Sequence, residues 1–198
     1  MAVDFCAGAG GKTLALGAAM RSTGRLYAFD TSGHRLESMK PRLARSGLSN
    51  VHPAQIAHER DDRVKRLAGK IDRVLVDAPC SGLGTLRRNP DLKWRQTRAS
   101  VQGLRAQQIA ILNGAARLLK SGGRLVYATC SLLEAENESV AREFSTEHSV
   151  GFKAVPALTA LAHSRVAGAQ NLVDGEFLRL WPHRHGTDGF FAAAWQRT

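Results

Sequence analysis

Residues 6–13 read CAGAGGKT, a glycine-rich turn that follows an apolar strand-like run and precedes a helical pattern. A strand, a tight glycine turn and a helix in this order form the nucleotide-binding element of open α/β folds. The stretch ends in Gly-Lys-Thr, as a nucleoside triphosphate loop does, but Cys6 stands where such a loop has its first glycine. The stretch therefore predicts an α/β fold and leaves two kinds of ligand open.

The rest of the chain repeats this alternation of strands and helices. Strand-like runs lie at Ala2–Cys6, Arg25–Asp30, Val51–Ile56, Arg73–Asp77 and Arg124–Thr129. Helical patterns lie at about Lys12–Met20, His34–Ser46, Val101–Leu119 and Glu134–Glu147, and Pro41 predicts a kink or a late start in the second of them. The order predicts a mostly parallel sheet with helices on both faces.

The pattern changes after Ser149. A long irregular stretch leads to two strand-like runs, Phe177–Trp181 and Gly189–Trp195, which are joined by the turn sequence HGTDG. We expect an antiparallel hairpin that closes the sheet edge. With 198 residues, the chain is predicted to form a single domain, residues 1–198.

Composition narrows the possible partners and compartments. The formal net charge of +11 favours a polyanionic partner, with nucleic acid as the leading candidate and a merely solvated basic surface as the alternative. The sequence has no apolar run long enough to span a bilayer and no secretory signal, so we expect a cytoplasmic protein without a membrane partner. The three cysteines lack C-x-x-C spacing, so neither a disulfide framework nor a metal site is expected.

Three carboxylates favour a cationic nucleoside ligand over a nucleoside triphosphate. Asp4, Asp30 and Asp77 end strand-like runs, and we expect them to converge where open α/β sheets bind ligands. Three acids repel a triphosphate unless a metal intervenes, whereas S-adenosylmethionine offers a sulfonium, an ammonium and a ribose diol for Asp30. A P-loop NTPase, with RVLVDAP at 73–79 as the magnesium-binding strand, remains the alternative.

Several stretches together resemble the RNA 5-methylcytosine methyltransferases of the RsmB/Nop2/Sun family, most closely their bacterial RsmB type, which acts on 16S ribosomal RNA. They are DFCAGAGGKT at 4–13, DTSGHRL at 30–36, DAPCSGLGTLRRNPDLKWR at 77–95, ATCSLLEAENE at 128–138 and GTDGFF at 186–191. The resemblance implies a class I methyltransferase fold, S-adenosylmethionine as methyl donor, and cytosine C5 in RNA, most simply ribosomal RNA, as acceptor.

The resemblance also implies roles for individual residues. Cys130 corresponds to the nucleophile, Cys80 to the cysteine that helps to release the product, and Asp77 lies between cofactor and target base. Asp30 takes the ribose hydroxyls. The methionine part of the cofactor is wrapped by Cys6, Ala7, Gly8, Ala9, Gly10, Gly11 and Lys12.

The implied chemistry suits these residue types. Cytosine C5 is a poor nucleophile until a group adds covalently at C6, and a cysteine thiolate is the side chain best suited to that addition. Hydrogen bonding at N3 of the base, a role that fits Asp77, makes the attack easier. The C5 proton must then leave before the adduct can eliminate, a step that Cys80 or a water can assist.

The sequence departs from the family pattern at three points. Ala9 replaces the usual proline of the glycine loop, and Ala57 stands where an acidic residue near the adenine is expected. The family's N-terminal RNA-binding region is absent from residues 1–198. A third interpretation is therefore an RNA-binding module that has kept the fold and lost turnover.

A basic segment directly follows Cys80. Basic side chains pair with phosphates, and an exposed aromatic ring stacks on an unpaired base. The predicted RNA-binding residues are Arg87, Arg88, Lys93, Trp94 and Arg95. The alternative is that Trp94 packs in the core and that the arginines are only solvated.

Overall fold

The computed structural model describes residues 1–164 and 166–198. Within them, nine strands form one sheet in the order β3-β2-β1-β4-β5-β9-β8-β7, and β6 also pairs with β9. The strands are β1 Ala2–Asp4, β2 Leu26–Asp30, β3 Val51–Gln55, β4 Ile71–Asp77, β5 Leu119–Thr129, β6 Phe152–Ala154, β7 Val173–Asp174, β8 Phe177–Leu180 and β9 Phe190–Arg197.

Helices alternate with the first strands, as predicted. They are α1 Gly11–Ala19, α2 Gly33–Ser46, α3 Asp62–Lys65, α4 Leu92–Arg95, α5 Arg98–Ala116, α6 Glu138–Glu147, α7 Ala157–His163 and α8 Pro182–His185. Short 3₁₀ turns lie at Leu83–Thr85, Glu134–Glu136 and Ala169–Leu172.

The order of the parallel strands locates the ligand-binding edge. β1 pairs in parallel with both β2 and β4, so the chain winds one way from β1 to β3 and then returns to the other side of β1. Such a reversal opens a crevice at the carboxyl ends of the two strands where it occurs. In this protein those ends carry the glycine loop after β1 and the residues after Asp77.

Alternating side chains bury both faces of the sheet. Leu26 and Ala28 of β2 belong to a cluster with Leu36 and Met39 of α2, whereas Phe29 belongs to the larger cluster that contains Leu112 of α5. Successive strand residues point to opposite faces, so two clusters on one strand mean two covered faces. This confirms the predicted sheet with helices on both sides.

The C-terminal strands are antiparallel, but they do not close the sheet where we expected. β9 pairs antiparallel with β5 and with β8, which confirms the hairpin. β9 is nevertheless an interior strand, and the two-residue β7 forms the edge. The preceding stretch, expected to be irregular, contributes β6, α7 and β7, elements too short to give a clear sequence period.

Two of the predicted helical patterns form helices that differ from the expectation. The second helix has no late start. It begins at Gly33, where the Ser32 hydroxyl accepts the N–H of Arg35, and it continues through the exposed Pro41. Packing of Leu36 and Met39 holds it against the sheet. The pattern predicted at 134–147 is a 3₁₀ turn and α6, separated at Asn137 by a non-helical backbone conformation (φ −115°, ψ −96°).

Candidate active site

A cavity of about 680 Å³ opens at the carboxyl ends of β1 and β4. It is lined by most of the residues that the sequence singled out for cofactor and catalysis: Cys6, Ala7, Gly8, Ala9, Gly11, Lys12, Asp30, Asp77, Cys80 and Cys130. The carboxyl ends of different strands therefore bring together residues that are up to 124 positions apart, from Cys6 to Cys130.

The glycine loop is tied to the end of β2. Gly8 has a φ of +54°, and its N–H donates to Asp30 Oδ2 at 2.8 Å, while the N–H of Ser32 donates to Asp30 Oδ1 at 2.8 Å. A carboxylate oxygen accepts more than one hydrogen bond, so Asp30 retains acceptor capacity toward the cavity. The loop and the acid predicted to bind a ribose thus form one unit.

Gly10 does not line the cavity, in contrast to the expectation for the whole loop. It has a φ of +88°, and a Cβ at this position would lie 2.5 Å from Cγ of Met39. Its backbone conformation and its contact with α2 explain why a glycine stands there. Gly10 thus precedes α1 and packs against α2.

Asp4 lies beneath the cavity and not in its lining. Its side chain is fully buried, and Oδ2 accepts a hydrogen bond of 2.7 Å from the Thr13 hydroxyl. Burial raises the pKa of Asp4 to about 6. The expectation that three carboxylates face the ligand is therefore wrong for Asp4, which joins β1 to α1.

This buried acid predicts a pH dependence of stability. A raised pKa in the folded state means that the folded protein binds more protons than the unfolded chain between about pH 4 and pH 6, so stability falls as pH rises through that window. We expect Asp4→Asn to remove a decline on the order of 3 kcal/mol. Urea unfolding of both proteins from pH 4 to pH 7 measures it, and parallel curves would contradict the assignment.

Lys12 and Asp77 form an ion pair inside the cavity. Lys12 Nζ lies 2.6 Å from Asp77 Oδ2 and 5.2 Å from the centre of the Phe190 ring. Lys12, which belongs to the glycine loop, thus lines the same cavity as the two thiols. Sequence reasoning assigned no contact between Lys12 and Asp77 because 65 residues separate them.

The two predicted catalytic thiols face each other. Sγ of Cys80 lies 3.4 Å from Sγ of Cys130, within hydrogen-bonding distance for sulfur, and both cysteines are free. The hydrogen bond from Cys80 lowers the pKa of Cys130 to about 7, with a smaller contribution from the Lys12 cation. The same hydrogen bond and burial raise the pKa of Cys80. The hydrogen bond between the thiols thus favours the thiolate at Cys130 and the neutral thiol at Cys80.

Cys6 differs from Cys130 in the pKa of its thiol. Burial, together with the nearby carboxylates of Asp4, Asp30 and Asp77, raises the pKa of its thiol. A thiol held in its neutral form is a poor nucleophile. The sulfur of Cys6 is therefore less suited to nucleophilic attack than that of Cys130.

Close backbone contacts hold the two cysteine loops together. The N–H of Gly84 donates to the carbonyl oxygen of Cys130 at 2.8 Å, and the N–H of Gly189 donates to that of Gly84 at 2.8 Å. A Cβ at residue 84 would lie 2.4 Å from the Gly189 oxygen and 2.6 Å from the Cys130 oxygen. The glycines of the GLG and TDG sequences thus permit this contact.

The far end of the cavity is apolar and acidic. Ile56, Ala57 and Ile111 line it, together with Glu59. The carboxylate of Asp61, four residues after Ala57, accepts the N–H of Ala57 at 2.9 Å and so shapes the loop after β3. Sequence reasoning missed Glu59, since only the tertiary structure brings it to the cavity.

The basic segment lies outside the cavity on the surface around α4. Trp94 is 81% exposed, so the alternative of a core tryptophan is wrong. Lys93 Nζ lies 4.8 Å from the centre of its ring. Arg88 pairs with Asp188, and Arg95 Nη2 lies 2.8 Å from Asp91 Oδ2. Arg87 is also exposed, so all five predicted residues are accessible to solvent.

Among residues 1–164 and 166–198, no three or more His, Cys, Asp or Glu side chains are grouped so that they could hold a metal ion. None of the helices in those ranges is long and apolar enough to cross a membrane.

The strand order, the glycine loop at the end of β1 and the acid at the end of β2 define the class I S-adenosylmethionine-dependent methyltransferases. The model of the family described as 16S rRNA methyltransferase RsmB/F matches residues 1–196. The chain belongs to this family, which confirms the resemblance found in the sequence motifs.

Individual relatives agree with this assignment. The probable ribosomal RNA small subunit methyltransferase B of Synechocystis sp. is 40% identical over 96% of this chain and 41% of its own length. The corresponding protein of Bacillus subtilis is 34% identical over 98% of this chain and 42% of its own length. The solved structure of NSun6 from Pyrococcus horikoshii with SFG has a TM-score of 0.82 and 29% identity, covering 100% of this chain and 47% of that one. The chain spans about two fifths of the length of the curated relatives.

Proposed function

We propose that residues 1–198 form a single catalytic domain that transfers a methyl group from S-adenosylmethionine to C5 of a cytosine in RNA, with ribosomal RNA as the substrate class. The observation that carries the proposal is the pair of thiols 3.4 Å apart at a cavity that also contains Asp77 and Lys12. Family membership supports methyl transfer to ribosomal RNA, and the thiol pair supports a covalent cysteine–C6 route to C5.

The cavity fits the methyl donor. Asp30 retains acceptor capacity for a ribose diol, and the positive φ of Gly8 brings the loop backbone against the ligand. When bound, S-adenosylmethionine supplies an electrophilic methyl group on a sulfonium. Ile56 and Ile111 offer apolar surface for the adenine.

Cys130 starts the proposed reaction on the base. Its thiolate forms a bond to C6, and the electrons of the C5–C6 double bond become available at C5. As the sulfur adds, N3 of the cytosine takes up a proton from water, which it gives back when the adduct eliminates. While it is present, the N3–H donates to the Asp77 carboxylate, which Lys12 keeps in place. After C5 has gained the methyl group, loss of its proton restores the double bond and the C6–S bond breaks, releasing the Cys130 thiolate.

The hydrogen bond between the thiols gives Cys80 two successive roles. Before attack, Cys80 donates its S–H to the Cys130 thiolate, and this bond is the main cause of its raised pKa. Once the Cys130 sulfur is bonded to C6 it carries no negative charge, so that cause disappears and the pKa of Cys80 falls. Cys80 can then give its proton to water, and the resulting Cys80 thiolate accepts the C5 proton, directly or through a water.

Calorimetric titration tests the cofactor and tells the competing functions apart. We expect S-adenosylmethionine to bind without added metal and ATP with magnesium not to bind, whereas a P-loop NTPase gives the opposite result. Incubation with methyl-labelled S-adenosylmethionine and ribosomal RNA then tests transfer. RNA binding without label in 5-methylcytosine would mean a module that has lost turnover.

The exposed Trp94 predicts a selective effect on RNA. Trp94→Ala should weaken single-stranded RNA binding by about 1–3 kcal/mol, the usual value of one base stacked on an aromatic ring. S-adenosylmethionine affinity should stay unchanged, because α4 lies outside the cavity. Fluorescence anisotropy with a labelled oligonucleotide measures the first quantity and calorimetry the second. Unchanged RNA affinity would remove Trp94 from the proposed interface.

A further inference from the structure

The Glu136 carboxylate accepts hydrogen bonds from both thiol loops, the one that contains Cys80 and the one that contains Cys130. Ser81 donates to it twice, from its N–H to Oε1 at 2.9 Å and from its hydroxyl to Oε2 at 2.5 Å. The Ser131 hydroxyl donates to Oε2 at 2.5 Å, and Gln108 Nε2 donates to Oε1 at 3.1 Å. The side chain is completely buried, so these four bonds replace the water that a carboxylate loses on burial.

The two serines directly follow the two thiols in the chain. Ser81 comes after Cys80 beyond β4, and Ser131 comes after Cys130 beyond β5. The serine hydroxyls also lie 3.2 Å from each other. The two loops, which lie 50 residues apart in sequence, thus share the Glu136 carboxylate as a hydrogen-bond acceptor. In each loop the donating serine is the residue next to the cysteine.

The same carboxylate connects these loops to the helix layer. Gln108 lies on α5 and also donates to the carbonyl oxygen of Pro79 at 2.9 Å, directly before Cys80. On the other side, Asn137 Nδ2 donates to the carbonyl oxygen of Ser131 at 3.0 Å. Glu136 and its neighbours therefore fix the backbone on both sides of the thiol pair.

We infer that Glu136 is a positioning residue, which sets the distance between Cys80 and Cys130 through Ser81 and Ser131. The catalytic consequence rests on the proposed function, whereas the placement of the thiols does not. A displacement of about 1 Å can lower a reaction rate about 100-fold, so a carboxylate that fixes two loops has a direct effect on rate.

Glu136→Gln tests this inference by the pH dependence of thiol alkylation. Iodoacetamide modification of Cys130, identified by peptide mass, reports the thiolate fraction without RNA or methyl donor. If Glu136 holds the thiols together, its loss weakens the hydrogen bond from Cys80 and raises the pKa of Cys130 from about 7 toward the ordinary thiol value of roughly 8.5. Removal of a negative charge alone would lower that pKa, so the sign separates positioning from charge.

We expect alkylation of Cys130 in Glu136→Gln at pH 7 to be roughly tenfold slower, as the thiolate fraction falls. Formation of the covalent RNA adduct should be about 100-fold slower. The matched control is Glu143→Gln, which removes an ion pair with Arg105 between α5 and α6 and should leave the Cys130 profile unchanged. Thermal unfolding of each variant confirms that the protein is folded.

Ser131→Ala is the second variant in case Glu136→Gln does not fold. It removes one of the four bonds, so it should shift the alkylation profile in the same direction by a smaller amount. A folded Glu136→Gln protein, or a folded Ser131→Ala protein in its place, with the wild-type profile or a lower Cys130 pKa would overturn the inference. If the wild-type protein forms no RNA adduct, the proposed function fails, yet the alkylation comparison still decides the role of Glu136.

Discussion

Cys130→Ala should abolish the covalent RNA adduct and lower methyl transfer by a factor on the order of 10⁴ or more, the scale on which loss of a nucleophile lowers an enzymatic rate. Alanine has no group that can add to C6, and burial still raises the pKa of Cys80 once the Cys130 thiol is gone, which disfavours Cys80 as a replacement nucleophile. Incubation with S-adenosylmethionine and ribosomal RNA, followed by a denaturing gel, measures the adduct. Label in 5-methylcytosine measures the product.

Cys80→Ala is the matched control for this result. It removes a thiol 3.4 Å away but leaves the nucleophile, so the adduct should form and accumulate because its release is slow. The rate of adduct formation in the wild-type protein should rise with pH through about pH 7, where Cys130 ionises. In Cys80→Ala this rise should move to higher pH, since the S–H donor that lowers the Cys130 pKa is gone. An adduct in Cys130→Ala and none in Cys80→Ala would exchange the two roles.

Asp77→Asn should lower the rate of adduct formation by about 10²–10⁴-fold, the usual contribution of a positioned acid–base group. The amide has nearly the shape of the carboxylate, but it cannot exchange a proton with N3 and cannot form an ion pair with Lys12. We expect the RNA affinity to change little, because the predicted RNA-binding residues lie outside the cavity. Single-turnover gels measure the rate, and anisotropy measures the affinity.

Asp72→Asn provides the control for Asp77→Asn on the same strand. Asp72 lies near the start of β4, where it pairs with Lys120 and the N-terminus, and Asp77 ends that strand at the cavity. The same substitution at the far end of β4 should therefore leave adduct formation at the wild-type rate. A normal rate in Asp77→Asn, or an equal loss in both variants, would rule out the proposed role of Asp77 in activating the base.

Local patterns in the sequence were sufficient for the fold. Runs such as RLYAFD and RVLVD predicted the strands β2 and β4, and their alternation with helical patterns predicted a parallel sheet covered on both faces. Period and length carry this information because each strand and helix buries a continuous set of side chains. The short β6 and β7 escaped prediction, since two or three residues do not establish a period.

The site was predicted in part. The motifs predicted that Asp30, Asp77, Cys80 and Cys130 lie at the ligand-binding edge of the sheet, and all four line the cavity. Asp4 was misplaced because the strand pattern gives the end of a strand but not the depth of its last side chain. The contact between Gly10 and Met39 was not predicted for a similar reason, as only the packing of α2 shows it.

The sequence by itself determined the doubly wound sheet, the position of its ligand-binding edge and the family, since each depends on residues close together in the chain. Only the tertiary structure decided that the two thiols share a hydrogen bond, that Lys12 pairs with Asp77, and that Glu136 joins the two cysteine loops. The contacts are the thiol pair, the Lys12–Asp77 ion pair and the Glu136–Ser81 hydrogen bonds. Each depends on a distance of a few ångströms between residues that lie 50 to 65 positions apart in the chain. The strength of a hydrogen bond or an ion pair changes steeply over such distances, which spacing along a chain does not specify.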